Sequence, residues 1–220
     1  VSPFELNFHK IEHDDSRNIF IDAYQCLTAA LTGEEFSYSG KYFDYAKVPM
    51  ALRPLQKPHP PFWYGSSNKI GATWAGQQGI HFTANGSTSH AKENIDAYRQ
   101  ALKERGGPEQ SKEGFKGGAV IGQLRHIYVA ETDEEAKRIA KPAMEHHARS
   151  LNWLRKRYNS NDLTNRNNIH RGQTFESWQE MEMVVAGSPE TVTNELIRQV
   201  KFLGVNYLLA YLFFGSMTLK

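Results

Sequence analysis

Apolar residues recur at spacings of three and four along several stretches of the chain, and this period predicts amphipathic helices. Five helices are predicted in this way: 15–32, a stretch that ends at Gln78, 89–105, one that begins at Thr132, and one from Ser188 to a stop at Gly204. Asp14, Asp15 and Ser16 offer N-terminal caps for the first helix, and Gly33 is predicted to be its left-handed stop. Thr132 and Glu135 form a capping box, and Pro142 predicts a kink in the helix that follows.

Short apolar runs lie between these helices. Four strands are predicted: 62–64, 80–84, 119–130 and 206–214. Strands that are apolar at nearly every position are typical of a parallel sheet with both faces covered, and their alternation with helices predicts an α/β fold. The aromatic-rich tract 36–45, which surrounds Gly40, is predicted to be a small hairpin or an extended loop.

The polar, asparagine-rich tract 159–172 fits neither period, so it is predicted to be an insertion or a mobile loop. No solenoid repeat and no low-complexity segment divides the sequence. Residues 1–220 are therefore predicted to form a single domain.

The composition excludes several classes of protein. Of the 220 residues, 40% are apolar and 12% aromatic, which is enough to build a core. Lys and Arg number 26 against 24 Asp and Glu, so the net charge is +2 and nucleic acid is not an expected partner. The single Cys26 excludes an internal disulfide and favours a reducing compartment, so we expect a cytoplasmic protein. No apolar run reaches the roughly 20 residues that a bilayer requires and no signal peptide opens the sequence, so no membrane partner is expected.

The strongest local signal for binding is the sequence Gly65, Ser66, Ser67 and Asn68, which connects a predicted strand to a predicted helix. Small residues allow a ligand to approach the backbone, and the free N–H groups of a first helical turn bind anions together with serine hydroxyls. The sequence is thus a candidate phosphate-binding loop. An ordinary strand-to-helix turn, in which the serines cap the helix, explains the same residues equally well. No Gly-Lys-Ser/Thr follows, so this is not a Walker loop.

Arg125 and His126 lie side by side in the predicted strand 119–130. Side chains alternate along a strand, so these two point to opposite faces. If positions 124, 126 and 128 face a barrel interior, His126 is a candidate catalytic residue; a histidine bonded to a backbone group is the structural alternative. No metal site is predicted, because His-Glu-x-x-His and Cys-x-x-Cys are absent and the adjacent His146 and His147 do not share a helical face.

Four segments of the chain resemble the bacterial luciferase-like flavin monooxygenases, and they occur in the same order. They are SYSGKYF at 37–43, RPLQKPHPPFWYGSS at 53–67, IYVAETDEEA at 127–136, and GSPETV at 187–192 followed by Gly204 and Val205. These segments are spread over most of the chain, from residue 37 to residue 205. Their occurrence together and in this order is more specific than any one of them.

The resemblance implies a (β/α)8 TIM-barrel type of fold, of which this chain carries strands five to eight with their helices. It also implies a monooxygenase in which reduced FMN and dioxygen insert one oxygen atom into a small organic substrate while the other leaves as water. Gly65, Ser66 and Ser67 would hold the FMN phosphate, with Asn68 as a weaker member, and His126 would face the active site. A separate flavin reductase and a homodimer are the partners that the family leads us to expect.

The sequence departs from the family at defined places. Residues 1–5 resemble the loop after the family's fourth strand, so we expect the first four strands, and the helix after Leu219, to be missing. Some relatives with histidine at the position of His126 carry an arginine two residues earlier, where this sequence has Leu124; Arg125 has the wrong parity to replace it. The tract 159–172 lies where the family has a mobile lid over the flavin.

Two alternative functions stay open at this point. Relatives with the same barrel use a deazaflavin coenzyme for hydride transfer, although the segment 62–67 resembles the FMN-using branch more closely. A half barrel also has two open sheet edges, and open edges invite pairing. The second alternative is therefore a non-catalytic half barrel that binds flavin or associates with itself.

Overall fold

The computed structural model describes residues 3–108, 118–158 and 174–218. The elements in these ranges are α1 (Pro3–Phe8), α2 (Ser16–Thr32), β1 (Glu35–Ser39), β2 (Asp44–Pro49), β3 (Trp63–Ser66), α3 (Lys69–Gln78), β4 (His81–Ala84), α4 (Thr88–Arg105), β5 (Ile121–Val129), α5 (Asp133–Arg157), α6 (Phe175–Glu180), β6 (Val184–Gly187), α7 (Pro189–Leu203) and β7 (Tyr207–Tyr211). They fall into two compact units, one up to residue 61 and one from residue 62 onward. The single domain expected for 1–220 stays a prediction, and the predicted insertion 159–172 lies outside the described residues.

The first unit consists of α1, α2 and an antiparallel hairpin of β1 and β2. The tract 36–45 thus forms the hairpin, the first of its two predicted alternatives. Asp22 of α2 joins helix and hairpin, because its carboxylate accepts hydrogen bonds from the Tyr38 hydroxyl and from the N–H groups of Tyr42 (2.7 Å) and Phe43 (3.2 Å). These bonds, the one from Tyr38 above all, lower the pKa of Asp22.

The second unit contains a five-stranded sheet in which every pair of neighbouring strands is parallel. Its central strand is β5, and β3 lies beyond β4. His126 of β5 pairs with Val184 of β6 on one edge and with Tyr211 of β7 on the other. Nearer the start of β5, Gly122 lies between β4 and β7 in the same way. Consequently β4 and β6 follow one another along one edge of β5, and β7 occupies the opposite edge.

Both kinds of helix end in this unit are capped: Ser188 and Gly204 cap α7 as predicted, whereas Asn68, and not one of the serines before it, caps α3. The Asn68 side chain accepts from the Gly71 N–H at the start of α3, and Ser188 caps α7 in the same manner. Glycines in the left-handed conformation end three helices, namely Gly79 after α3, Gly106 after α4 and Gly204 after α7. The predicted alternation of strands and helices in an α/β fold is thereby confirmed.

Three features differ from the sequence-based expectations. The final strand is shorter than 206–214, Gly33 after α2 is extended and not left-handed, and two short elements, α6 and β6, were not expected. Strand β6 has only four residues, and they merge with the start of the helix signal at Ser188, so no separate strand pattern can be recognised. The four expected strands are present, and β6 adds a fifth. None of the helices in the described ranges is long and apolar enough to cross a membrane.

Candidate active site

The two faces of β5 are assigned by the contacts of its side chains. Gln123 and Arg125 bond to Gln199 of α7, at 2.6 Å and 2.7 Å, and therefore point to the helix-covered face. Leu124 and His126 point to the opposite face and line a cavity. The parity argued from the sequence thus describes the geometry, with His126 on the interior face and Arg125 on the helix side.

This cavity has a volume of about 190 Å³. It is lined by residues from the loops after β3 and β4, from β5, and from the region of α4 to α6: Ser67, Asn85, Gly86, His90, Leu124, His126, His147, Leu151, Trp178 and Met183. The loops after β3 and β4 leave the carboxyl ends of their strands, where parallel α/β sheets and barrels bind ligands. The lining is mainly apolar, and three imidazoles, the Asn85 side-chain amide and the Ser67 hydroxyl supply its polar side-chain groups.

His126 is held inside a group of aromatic rings. The ring centroids of His147, Trp178, Tyr211 and Phe214 lie 5.0–5.5 Å from that of His126, and Trp178 and Phe214 meet it edge-on. Only 7% of the residue is exposed. Burial, with a smaller contribution from His147, lowers the pKa of His126 to about 4, so the imidazole is neutral at pH 7. A neutral imidazole offers one N–H donor and one acceptor nitrogen.

Both the backbone and the ring of His126 are bonded to Met183. The His126 N–H donates to the Met183 carbonyl (3.1 Å), which connects β5 to the residue before β6. The imidazole also forms a hydrogen bond with the backbone of Met183, which offsets part of the fall in its pKa. The structural alternative, a histidine whose ring is bonded to a backbone group, therefore fits this residue, which at the same time lines the cavity.

The loop Gly65–Asn68 divides into two pairs of residues with different roles. Ser66 and Asn68 serve the loop itself: the Ser66 hydroxyl accepts from the Asn68 N–H (3.1 Å), and Asn68 Oδ1 accepts from the Gly71 N–H (2.8 Å). Ser67 lines the cavity, and its carbonyl accepts from Nε2 of His90 (2.5 Å). Gly65 faces open space, because a Cβ there would meet only the Asn85 amide nitrogen at 3.7 Å.

The loop after β4 lies directly beside the loop after β3. Ser66 pairs with Ala84, and the Asn85 N–H donates to the Ser66 carbonyl (3.1 Å). Ser87 caps α4, so helices α3 and α4 begin next to each other at the same edge of the sheet. In the part of the chain that the structure describes, three groups have no hydrogen-bond partner: the Ser67 hydroxyl, the Ser67 N–H and the side-chain amide of Asn85. Unpaired donors near two helix N-termini are suited to an anion.

Several cavity residues were not identified as functional from the sequence. The apolar period of the helix that begins at Thr132 places His147 on the inner face of that helix, so the sequence did contain a signal for His147. His90 and Trp178 carry no comparable signal, since each reaches the cavity only through the packing of α4 or α6. Among the described residues, no cluster of three or more His, Cys, Asp or Glu side chains has the geometry to hold a metal ion.

Comparison with known sequences identifies the class of protein to which this fold and cavity belong. The sequence profile described as luciferase-like monooxygenase matches residues 1–207. The chain therefore belongs to the luciferase-like monooxygenase family, and the resemblance seen in the sequence is confirmed.

Two relatives illustrate the range of similarity. An uncharacterised protein of Sinorhizobium fredii is 31% identical over 99% of this chain and 60% of its own length. An FMNH2-dependent dimethylsulfone monooxygenase of Pseudomonas putida is 25% identical over 59% of this chain and 33% of its own length. The chain thus spans 60% or less of the length of these relatives.

Solved structures support the fold. A monooxygenase from Streptomyces bottropensis superposes with a TM-score of 0.77 at 19% identity, over 99% of this chain and 60% of that one. The oxygenating constituent of 3,6-diketocamphane monooxygenase from Pseudomonas putida, solved with FMN, gives 0.65 at 20% identity, over 97% and 62%. A coenzyme F420-dependent tetrahydromethanopterin reductase from Methanopyrus kandleri gives 0.60 at 16% identity, over 87% and 56%. At these identities the likeness concerns the fold alone, and it agrees with the expected partial TIM barrel.

Proposed function

We propose that this chain provides the flavin-binding part of an FMN-dependent monooxygenase that acts on a small organic substrate. One observation carries the proposal: the loops that begin α3 and α4 lie side by side and border the same cavity as the buried imidazole of His126. The names of two similar proteins, one FMNH2-dependent and one solved with FMN, agree with this choice of cofactor.

The residues of the loops fit the phosphate end of a flavin nucleotide. Gly65 leaves open space next to Asn85, and Ser67 and Asn85 offer unpaired donors beside it. Ser67 and Asn85 would therefore bind the phosphate, with Gly65 allowing close approach, while Ser66 and Asn68 hold the loop in shape. This division refines the expectation that Gly65, Ser66, Ser67 and Asn68 all contact the cofactor.

The other end of the cavity would hold the reacting atoms. Reduced FMN supplies the two electrons with which dioxygen is split, one oxygen atom going to the substrate and the other to water. His126, which is neutral at pH 7, would orient a polar group through the ring nitrogen that does not bond to the Met183 backbone. Trp178, Leu151 and Met183 line the same cavity and exclude water from it. A separate flavin reductase would deliver the reduced FMN.

Binding of FMN and of coenzyme F420 tests the cofactor. The 220-residue chain is titrated with each, and flavin fluorescence and absorbance are recorded. We expect FMN to bind, and Ser67→Ala to weaken that binding about tenfold, because an unpaired donor is lost from the phosphate. Ser89→Ala is the matched control, since Ser89 is an exposed serine of α4 that does not line the cavity.

The outcomes separate the alternatives. Binding of F420 without FMN would favour hydride transfer with a deazaflavin. Binding of FMN without incorporation of oxygen into an organic substrate, in the presence of a flavin reductase and NADH, would favour a non-catalytic flavin-binding protein. Binding of neither cofactor contradicts the proposal for this chain.

A second experiment concerns His126. The variant His126→Gln is expected to keep FMN affinity within about threefold but to lower product formation at least about a hundredfold, since a positioned imidazole is worth 10² or more in such sites. Product is measured as substrate mass increased by one oxygen atom. Equal product formation by the variant would remove His126 from the chemistry.

A further inference from the structure

Directly behind the cavity, a cation is buried on the helix-covered face of β5. Only 1% of Arg125 is exposed. Its Nε donates to Gln199 Oε1 (2.7 Å), its Nη2 to Thr88 Oγ1 (2.9 Å), and its Nη1 to the carbonyls of Leu124 (2.7 Å) and Gly86 (3.3 Å). Burial lowers the pKa of Arg125 to about 10, which still leaves it charged at pH 7.

Two of these contacts lie on the loop that leads from β4 into α4. Gly86 belongs to the cavity lining, and Thr88 is the first residue of α4. Gly86 has a φ of +106°, a conformation that other residues rarely adopt. Arg125 therefore forms hydrogen bonds to this turn at two points, the Gly86 carbonyl and the Thr88 hydroxyl. Asn85, the neighbouring cavity residue, is fixed with it.

Gln199 extends the same network to the residues that precede β6. Its Nε2 donates to the Glu182 carbonyl (3.3 Å) and to Glu195 (2.7 Å). Met183 follows Glu182, lines the cavity, and accepts the backbone hydrogen bond of His126. The buried network thus reaches the cavity lining at two places along the same edge of β5, after β4 and before β6.

A purely structural role would not require these contacts. A methionine of similar length would fill the buried space, and replacing buried charges by apolar side chains is often neutral for stability. An apolar side chain would not supply the two N–H donors of a planar guanidinium that bond to Gly86 and Thr88 and fix their relative positions.

We propose that Arg125 is a positioning residue that, from behind the sheet, fixes the turn of Asn85 and Gly86 and thereby the phosphate-binding side of the cavity. Arg125 touches neither cofactor nor substrate in this role. The part of the inference that concerns phosphate rests on the proposed function, whereas the part that concerns the turn does not.

The first test measures the turn itself. Amide hydrogen exchange of peptides covering 85–90 is compared in the wild-type chain, Arg125→Met and Gln123→Leu. Gln123 is the matched control, because it is equally buried and bonds to the same Gln199 oxygen but has no contact with Gly86 or Thr88. We expect exchange in 85–90 to rise about tenfold in Arg125→Met and to stay within about threefold in Gln123→Leu. Equal exchange in the two variants overturns the inference.

The second test compares FMN with riboflavin, which has the same ring system but no phosphate. Arg125→Met is expected to weaken FMN about tenfold while riboflavin changes less than about threefold, a selective loss that general destabilisation would not produce. Equal losses for both ligands contradict the phosphate-positioning role. If Arg125→Met does not fold, Arg125→Lys, which keeps the charge without the fork, is expected to act in the same direction.

Failure of the two proposals can be told apart. If the wild-type chain binds neither FMN nor riboflavin, the proposed function fails, and the exchange experiment still decides whether Arg125 fixes the turn. If the wild-type chain binds FMN and both tests show no selective effect of Arg125, only the present inference fails.

Discussion

On the face of β5 that packs against α7, the guanidinium of Arg125 makes four hydrogen bonds in a space from which water is excluded. One residue further along, on the opposite face, His126 is almost as deeply buried, but among the described residues its imidazole is hydrogen-bonded to the backbone of Met183 alone, and it lines the cavity.

The difference indicates what each face is for. A buried polar group that keeps part of its hydrogen-bonding capacity towards a cavity can bind a ligand, whereas one bonded on all sides can maintain the structure around it. The face that carries Arg125 therefore has the character of a support, and the face that lines the cavity that of a binding site. Each of the following experiments tests that distinction.

The largest effect is expected from removing a hydrogen-bond partner of Arg125 on the helix-covered face. Gln199→Leu removes the acceptor of Arg125 Nε and of Gln123, so a buried charge loses a partner, and we expect the free energy of unfolding to fall by about 3 kcal/mol. Urea unfolding measures the change. Lys201→Leu is the control, an exposed position on the same helix, with an expected change within about 0.5 kcal/mol. Equal changes in the free energy of unfolding for the two variants would mean that the hydrogen bonds of Gln199 do not stabilise the chain.

The next effect is a pH dependence on the cavity side. The folded pKa of His126, about 4, lies below its ordinary value of 6.5, so protons bind more readily to the unfolded chain between these values. The stability contribution of the neutral ring is complete above pH 6.5 and is lost as the pH falls towards 4. Between pH 7.5 and 5, His126→Leu should gain about 2 kcal/mol relative to wild type.

Unfolding in urea at the two pH values measures this gain. His146→Leu is the control, because His146 is exposed on α5 and should show no such gain. An identical pH profile for wild type and His126→Leu would mean that His126 is accessible to water in the folded chain.

A smaller effect should come from a hydroxyl on the supporting face. Thr88→Val keeps the shape of the side chain but removes the acceptor of Arg125 Nη2, so we expect a loss of about 1.5 kcal/mol in urea unfolding. Thr88→Ser retains the hydroxyl and should stay within about 0.5 kcal/mol of wild type. If valine and serine behave alike, the bond to Thr88 contributes nothing to stability.

The smallest effect on stability should come from the corresponding hydroxyl on the cavity face. Ser67→Ala removes a group that has no partner in the described chain, so the free energy of unfolding should change by less than about 0.5 kcal/mol. The same variant is the one expected to lose FMN affinity. A marked loss of stability in Ser67→Ala would place Ser67 among the supporting residues and remove the contrast with Thr88.

The sequence was sufficient for the features that depend on local periods. Strand alternation separated His126 from Arg125, and the helical period placed His147 inward, because both follow from neighbouring residues. The partners of Arg125 could not be predicted in this way: Thr88 and Gln199 come from distant helices, and only the packed fold brings them together. The bond between Asn68 Oδ1 and the N–H of Gly71 is of the first kind, since it joins residues three apart at a helix start.

The placement of β6 end to end with β4 has a consequence for the order in which the chain is assembled during synthesis. The first half of β5 can pair with β4 as soon as both have left the ribosome, but the second half, with His126, must wait for β6, about 60 residues later. Until then the His126 N–H lacks its acceptor, the Met183 carbonyl. The centre of the cavity is therefore one of the last parts of the sheet to acquire its native pairing, and a nascent chain stalled between these strands would present an unfinished edge to its surroundings.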